Sequence, residues 1–355
     1  MQLNDLMQLA IKEKASDLHL TVGLQPLLRI FGELMPVTSA EKLNSTTIQE
    51  LILPILDENR RRVLSAAGQV DFSYGLAGLG RFRVNVYRQR GALSAAMRTI
   101  PTSIPTFDFL GLPEIAKNLA EKSWGLVLIT GPTGSGKTTT LASLIDHINS
   151  TRNCHIITLE DPIEYLHMHK KAMINQREVG TDTDCFANAL RAALREDPDV
   201  ILVGEMRDFE TIQIAITAAE TGHLVFATLH TNDTVQTVDR IIDVFPPNQQ
   251  QQVRTQLALV INGIISQQLL PRVDMPGRVL ATEVMIANSA IRSLIREGKS
   301  HQIRTSIQTG GKYGMYTLDA KLRQLYEQRL VSFQEALLRA IDQEEFRKYN
   351  DDHSK

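Results

Sequence analysis

Residues 125–138 read GLVLITGPTGSGKT. Gly125–Thr130 is an apolar run without polar alternation, as expected of a parallel strand covered on both faces. Gly131-Pro-Thr-Gly-Ser-Gly-Lys-Thr138 then fits GxxxxGK[ST], and Leu141, Leu144, Ile145 and Ile148 follow at the i, i+3, i+4, i+7 spacing of an amphipathic helix. Strand, glycine loop and helix in that order form a phosphate-binding unit. Gly131, Gly134 and Gly136, with Pro132, Thr133 and Ser135 between them, let backbone N–H groups converge on phosphate oxygens at a helix N-terminus. Lys137 supplies an ammonium to the outer phosphates, and Thr138 a hydroxyl for Mg2+. A nucleoside triphosphate is the expected ligand.

Three further apolar runs predict parallel strands: His155–Leu159, Val200–Gly204 and Leu224–Thr228. Helical patterns alternate with them, and Phe209–Thr221 stops at Gly222. Together they predict an α/β domain. Chemistry in such a sheet gathers at the strands' carboxyl ends. Those ends carry Glu160, Asp161 and Glu164, then Glu205, then His230. Glu160 and Asp161 either face the site or cap a following helix. Glu205, directly after its strand, is the candidate for Mg2+ or the attacking water, with Glu164 second. His230 and His223 bracket the last strand and are candidates for sensing the outer phosphate. Fixed cations would stabilise the spreading charge of phosphoryl transfer. Arg191 and Arg195 fall four apart on one predicted helix, and Arg240 on a later one.

The first hundred residues have another texture. Residues 81–87 (RFRVNVY) alternate strictly, which predicts a half-buried antiparallel strand with Arg81 and Arg83 on its polar face. Arg88 falls in the opposite phase. Pro101, Pro105 and Pro113 then mark a linker. The expected division is therefore residues 1–100, a linker at 101–113, and 114–355, mostly helical from about Pro247.

The 355 residues include 43% apolar ones, enough for a core. A net charge of -2 offers no bulk electrostatic reason for nucleic-acid binding. Cys154 and Cys185 form no CxxC pair, so a four-cysteine zinc site is excluded. No apolar run is long enough to span a membrane, and the N-terminal stretch does not read as a signal peptide. A cytoplasmic protein is expected, touching membrane only through partners.

Four ordered blocks carry a family resemblance: GPTGSGKTTTLASLI, IITLEDPIEYLH, LREDPDVILVGEMRDFETI and TAAETGHLVFATLHTND. Together they resemble the secretion ATPase superfamily, which includes the type IV pilus and type II secretion motors. ASDLHL at 15–20 is similar to the start of that family's N-terminal PAS-like domain. AIRSLIRE at 290–297, with QTGGKYGMYTLD after it, is similar to the C-terminal signature of the pilus-retraction branch, although Ser293 stands where Asn is common there.

The resemblance implies a PAS-like α+β domain joined to a RecA-like P-loop ATPase domain with a helical C-terminal region. It implies a homohexamer hydrolysing ATP with Mg2+ to retract a pilus, docked on an inner-membrane platform protein. Pilus extension, accessory retraction and type II secretion are the alternatives within the family. Arg81, Arg83 and Arg88 match the family's N-terminal arginines, which reach a triphosphate bound against a neighbouring subunit. Arg195 and Arg240 also occupy family-type positions. Arg292 and Arg296 share one face of the 290–297 segment, which is expected to transmit motion or touch the pilus base rather than ATP.

Overall fold

The computed structural model describes residues 1–30, 32–76, 80–100 and 103–353. The chain divides into two compact units, one of Met1–Ser103 with Pro162–Leu166, the other of Ile104–Asp161 with His167–Lys355.

The first unit contains α1 (Leu3–Lys12), β1 (Asp17–Leu20), β2 (Leu27–Ile30), β3 (Glu33–Pro36), α2 (Ser45–Ile52), α3 (Glu58–Ala67), β4 (Gln69–Leu76), β5 (Gly80–Gln89) and β6 (Ala92–Ile100). Its sheet runs β3-β2-β1-β6-β5-β4, and every neighbouring pair is antiparallel. The period-2 pattern of 81–87 has the expected result. Phe82, Val84 and Val86 are buried on one face, with Leu3, Leu6, Met7 and Ala10 of α1 in the same core. Arg83 is exposed on the other face and Arg81 is half-buried.

The second unit contains α4 (Phe107–Leu110), α5 (Ile115–Ala120), β7 (Gly125–Thr130), α6 (Lys137–Thr151), β8 (His155–Glu160), β9 (Met173–Glu178), α7 (Phe186–Ala193), β10 (Val200–Val203), α8 (Phe209–Glu220), β11 (Leu224–Leu229), α9 (Thr234–Asp243), α10 (Pro247–Val260), β12 (Ile261–Pro271) and β13 (Arg278–Ile286). Five helices close it: α11 (Ser289–Arg296), α12 (Ile303–Gln308), α13 (Leu318–Glu327), α14 (Phe333–Arg339) and α15 (Gln343–His353). Strand order is β13-β12-β7-β11-β10-β8-β9, parallel throughout except for the antiparallel edge strand β13. The continuous apolar runs are explained by two cores, one on each face. Leu126 and Leu128 of β7 enter one, Val127 and Ile129 the other.

One expectation is refined and two change. Residues from Pro247 are for the most part helical, as expected, but 261–286 form the β12–β13 hairpin that completes the sheet. Pairing of β12 with β7 overrides an ambiguous local pattern there. The linker at 101–113 begins with Pro101 and Thr102, which lie outside the described residues. From Ile104 the chain belongs to the second unit, with Phe107 buried in its core, so 104–113 is not a free linker. Arg195 does not share a helix with Arg191. Helix α7 stops at Ala193, Asp197 adopts φ 56°, and Pro198 follows, so Arg195 sits in an exposed turn.

Candidate active site

The phosphate loop leaves the carboxyl end of β7 and enters α6. Gly131 has φ 141°, and a Cβ there would lie 2.2 Å from the Gln267 carbonyl oxygen and 2.7 Å from Ser135 Oγ. Only glycine fits. Gln267 lies on β12, fully buried, and its Nε2 donates to the Ser135 carbonyl at 2.8 Å. The loop is thus suspended from the strand beside it. No motif pointed to Gln267. Its one signal is a buried polar residue inside the run IISQQLL.

Lys137 is buried at the first position of α6. Its Nζ donates to the carbonyls of Gly131 at 2.8 Å and Pro132 at 3.1 Å, and lies 3.5 Å from His230 Nδ1. The other ring nitrogen, Nε2, is 3.0 Å from Glu205 Oε1. Lys137, His230 and Glu205 therefore form one chain across neighbouring strand ends.

Glu205 follows β10 through Gly204. A Cβ at Gly204 would meet the Leu159 carbonyl oxygen at 3.0 Å and Glu160 Cα at 3.3 Å, so glycine allows β10 and β8 to close up here. Thr228 Oγ1 donates to the Gly204 carbonyl at 2.6 Å, and Met206 N–H to the Thr228 carbonyl at 3.1 Å, fixing the turn that aims Glu205. Arg207 also pairs with Glu205 Oε1, and that bond raises the arginine's pKa above its usual value. Sequence reasoning missed Arg207 and Thr228.

Glu160 at the end of β8 is buried, its Oε1 accepting from Thr158 Oγ1 at 2.6 Å and Gln176 Nε2 at 3.0 Å. No helix follows it directly, so neither Glu160 nor Asp161 is a helix cap. Gln176 Oε1 also accepts the His167 N–H at 2.8 Å. One side chain thus ties both ends of the excursion 161–166, whose residues 162–166 belong to the first unit and carry the exposed Glu164.

His223 is not part of this arrangement. It precedes β11, so a six-residue strand, roughly 20 Å long, separates it from His230. Its Nδ1 meets the Ala218 carbonyl at 2.9 Å and Thr221 Oγ1 at 3.2 Å, finishing α8. Arg240 is exposed on α9, and Arg195 exposed after α7. Arg81, Arg83 and Arg88 lie on β5 of the first unit. Arg88 is exposed near the strand end, in unbroken register opposite Leu93. Arg191 is occupied by Glu210, joining α7 to α8.

A glycine loop on a parallel sheet, with a lysine, a histidine and a glutamate linked along adjacent strand ends, defines a P-loop ATPase. The chain belongs to the type II/IV secretion system protein family, whose profile matches residues 1–338. It is 46% identical over 346 residues to the type IV pilus retraction ATPase PilT of Pseudomonas aeruginosa, covering 98% of this chain and 100% of that protein. It is 47% identical to a twitching motility protein of Neisseria gonorrhoeae, over 90% of this chain and 85% of that one. A crystal structure of the pilus retraction motor PilT with bound ADP superposes with a TM-score of 0.92 at 50% identity, covering 98% and 99% of the two chains.

Proposed function

We propose that this chain is an ATP-hydrolysing motor that powers retraction of a type IV pilus, working as a homohexamer at the cytoplasmic face of the inner membrane against a platform protein there. The observation that carries the reading is the end-to-end correspondence with PilT in sequence and fold. No helix among the described residues is long and apolar enough to cross a membrane.

In this reading the backbone of Gly131–Thr138 cradles the triphosphate, and Lys137 turns from its loop carbonyls to the outer phosphates. Thr138 and Glu205 offer two oxygen donors, a set that suits Mg2+, which keeps water and phosphate as its remaining ligands. That ion, when bound, would neutralise charge on the leaving and transferring oxygens. Glu205 accepts a proton from the attacking water at a carboxylate oxygen, and His230 Nε2 holds that carboxylate in place. Glu164 is the second candidate base. Arg81, Arg83 and Arg88 would serve the nucleotide of a neighbouring subunit, with Arg195 and Arg240 supplementing them.

A deletion strain tests the function. It should keep surface pili that no longer retract. A strain without pili would indicate extension instead, and one with normal retraction would overturn the reading.

A further inference from the structure

The loop after His230 is fastened at three points. Thr231 Oγ1 lies 2.6 Å from Thr237 Oγ1, and the Asn232 carbonyl accepts from Ser266 Oγ at 2.8 Å. Thr234, the first residue of α9, donates both its N–H at 2.9 Å and its hydroxyl at 2.7 Å to Glu283 Oε1. Thr237 also reaches Thr130 Oγ1 at 3.4 Å, directly before the phosphate loop.

Glu283 stands on β13 and is 2% exposed. Its Oε2 accepts the N–H of Leu318, the first residue of α13, at 3.3 Å. One carboxylate thereby serves the N-termini of two helices, where its charge is favoured and donors need partners. Burial still outweighs those bonds and pushes its pKa up. Losing it would leave buried donors at both helix starts without an acceptor, so the carboxylate has a structural role at the least. What it joins gives it a further one. On one side is the helix that begins four residues after His230, and on the other the C-terminal helical region.

We propose that Glu283 is a positioning residue for ATP hydrolysis, fixing the start of α9, and through it the His230 loop, against α13. This rests on the reading of His230 as the group that holds Glu205.

The test is steady-state hydrolysis of Mg-ATP by the purified full-length protein. Glu283→Gln keeps the shape but turns one acceptor into a donor facing N–H groups. Its kcat should fall about tenfold, as expected for a group displaced within a catalytic array. Its KM for ATP should stay within about twofold, since the phosphate loop is untouched. The double variant with His230→Ala should be no slower than His230→Ala alone, because both act through one group. Unchanged kcat in Glu283→Gln, or losses that multiply, would overturn the inference. If Glu283→Gln does not fold, Thr234→Val removes only the hydroxyl donor. The same kcat loss and non-additivity are expected of it, and normal turnover counts against the proposal. If His230→Ala itself hydrolyses ATP normally, the reading of the site fails and this inference with it. A slow His230→Ala with multiplying losses removes the inference alone.

Discussion

His230 Nε2 lies 3.0 Å from Glu205 Oε1 at the carboxyl edge of the second sheet. On the far side of the ring, Nδ1 faces the Lys137 ammonium at 3.5 Å. A neutral imidazole protonated at Nε2 satisfies both, donating to the carboxylate and accepting from the lysine. The ring therefore links the cation of the phosphate loop to the candidate base.

That linkage makes two substitutions separable. Glu205→Gln should bind ATP yet hydrolyse it about a hundredfold or more slowly, because an amide cannot take a proton from water. Lys137→Ala should lose turnover altogether, because the ammonium that the phosphate loop holds for the outer phosphates is gone. A filter-binding assay beside phosphate release distinguishes them. Wild-type release by Glu205→Gln would end its candidacy and pass the role to Glu164.

Subunits carrying Lys137→Ala retain their β5 arginines, whereas subunits with Arg81→Ala and Arg83→Ala retain an intact phosphate loop. If β5 serves a neighbour, rings mixed from the two should regain turnover that neither parent shows. Verified mixed rings that stay inactive would argue against a shared site. Arg83 is a good reporter, since its cross-strand neighbour Arg98 is already paired with Asp17 at 3.0 Å.

Arg292 and Arg296, four apart on one face of α11, should not behave as a pair. Arg292 donates to the carbonyls of Ala258, Leu259 and Ala287, closing the end of α10. Arg292→Ala should cost about 2–3 kcal/mol of stability, as charged hydrogen bonds to carbonyls commonly do. Exposed Arg296 contributes little packing, so Arg296→Ala should melt and hydrolyse ATP normally. Thermal melts of the two single variants decide this. An unmoved Arg292→Ala transition would refute the structural role.

His167 supplies a pH dependence. Its side chain is 3% exposed. Burial, reinforced by the nearby Lys170 cation, lowers its pKa to about 4 from the usual 6.5, against the opposing pull of Asp146 3.9 Å away. A depressed folded pKa leaves stability intact above pH 6.5 and removes it as pH falls towards 4. The unfolded chain takes up a proton that the fold refuses. At pH 5 the loss should be about 2 kcal/mol. Melting His167→Phe and the wild type at pH 7 and pH 5 checks the sign, with the wild type losing more. Equal losses would dismiss His167 as the source.

Much of the second unit was legible because its signals are local. The β7 run, the glycine loop and the stripe Leu141, Leu144, Ile145 and Ile148 each follow from sterics within a few residues. Glu205 was legible because it directly follows an apolar strand. What escaped depends on pairing over long separations. Nothing within 261–271 distinguishes a strand from a helix until β7 is beside it. Nor does a lone Gln267 announce that it carries the phosphate loop. His223 and His230 look equivalent in sequence, but a strand's direction sends them to opposite edges of the sheet. Arg195 appeared helical because the period continued, whereas Pro198 had already ended the helix.

The suspension of the phosphate loop from Gln267 bears on how the protein matures on the ribosome. The bond from Gln267 to the Ser135 carbonyl spans 132 residues of chain. The whole GxxxxGK[ST] signature has therefore been synthesised long before the strand that braces it exists. A nascent chain arrested after β11 would carry every motif residue of the loop without its anchor. Nucleotide affinity acquired during translation should consequently rise late and abruptly, when β12 inserts beside β7. It would time completion of the sheet rather than appearance of the motif.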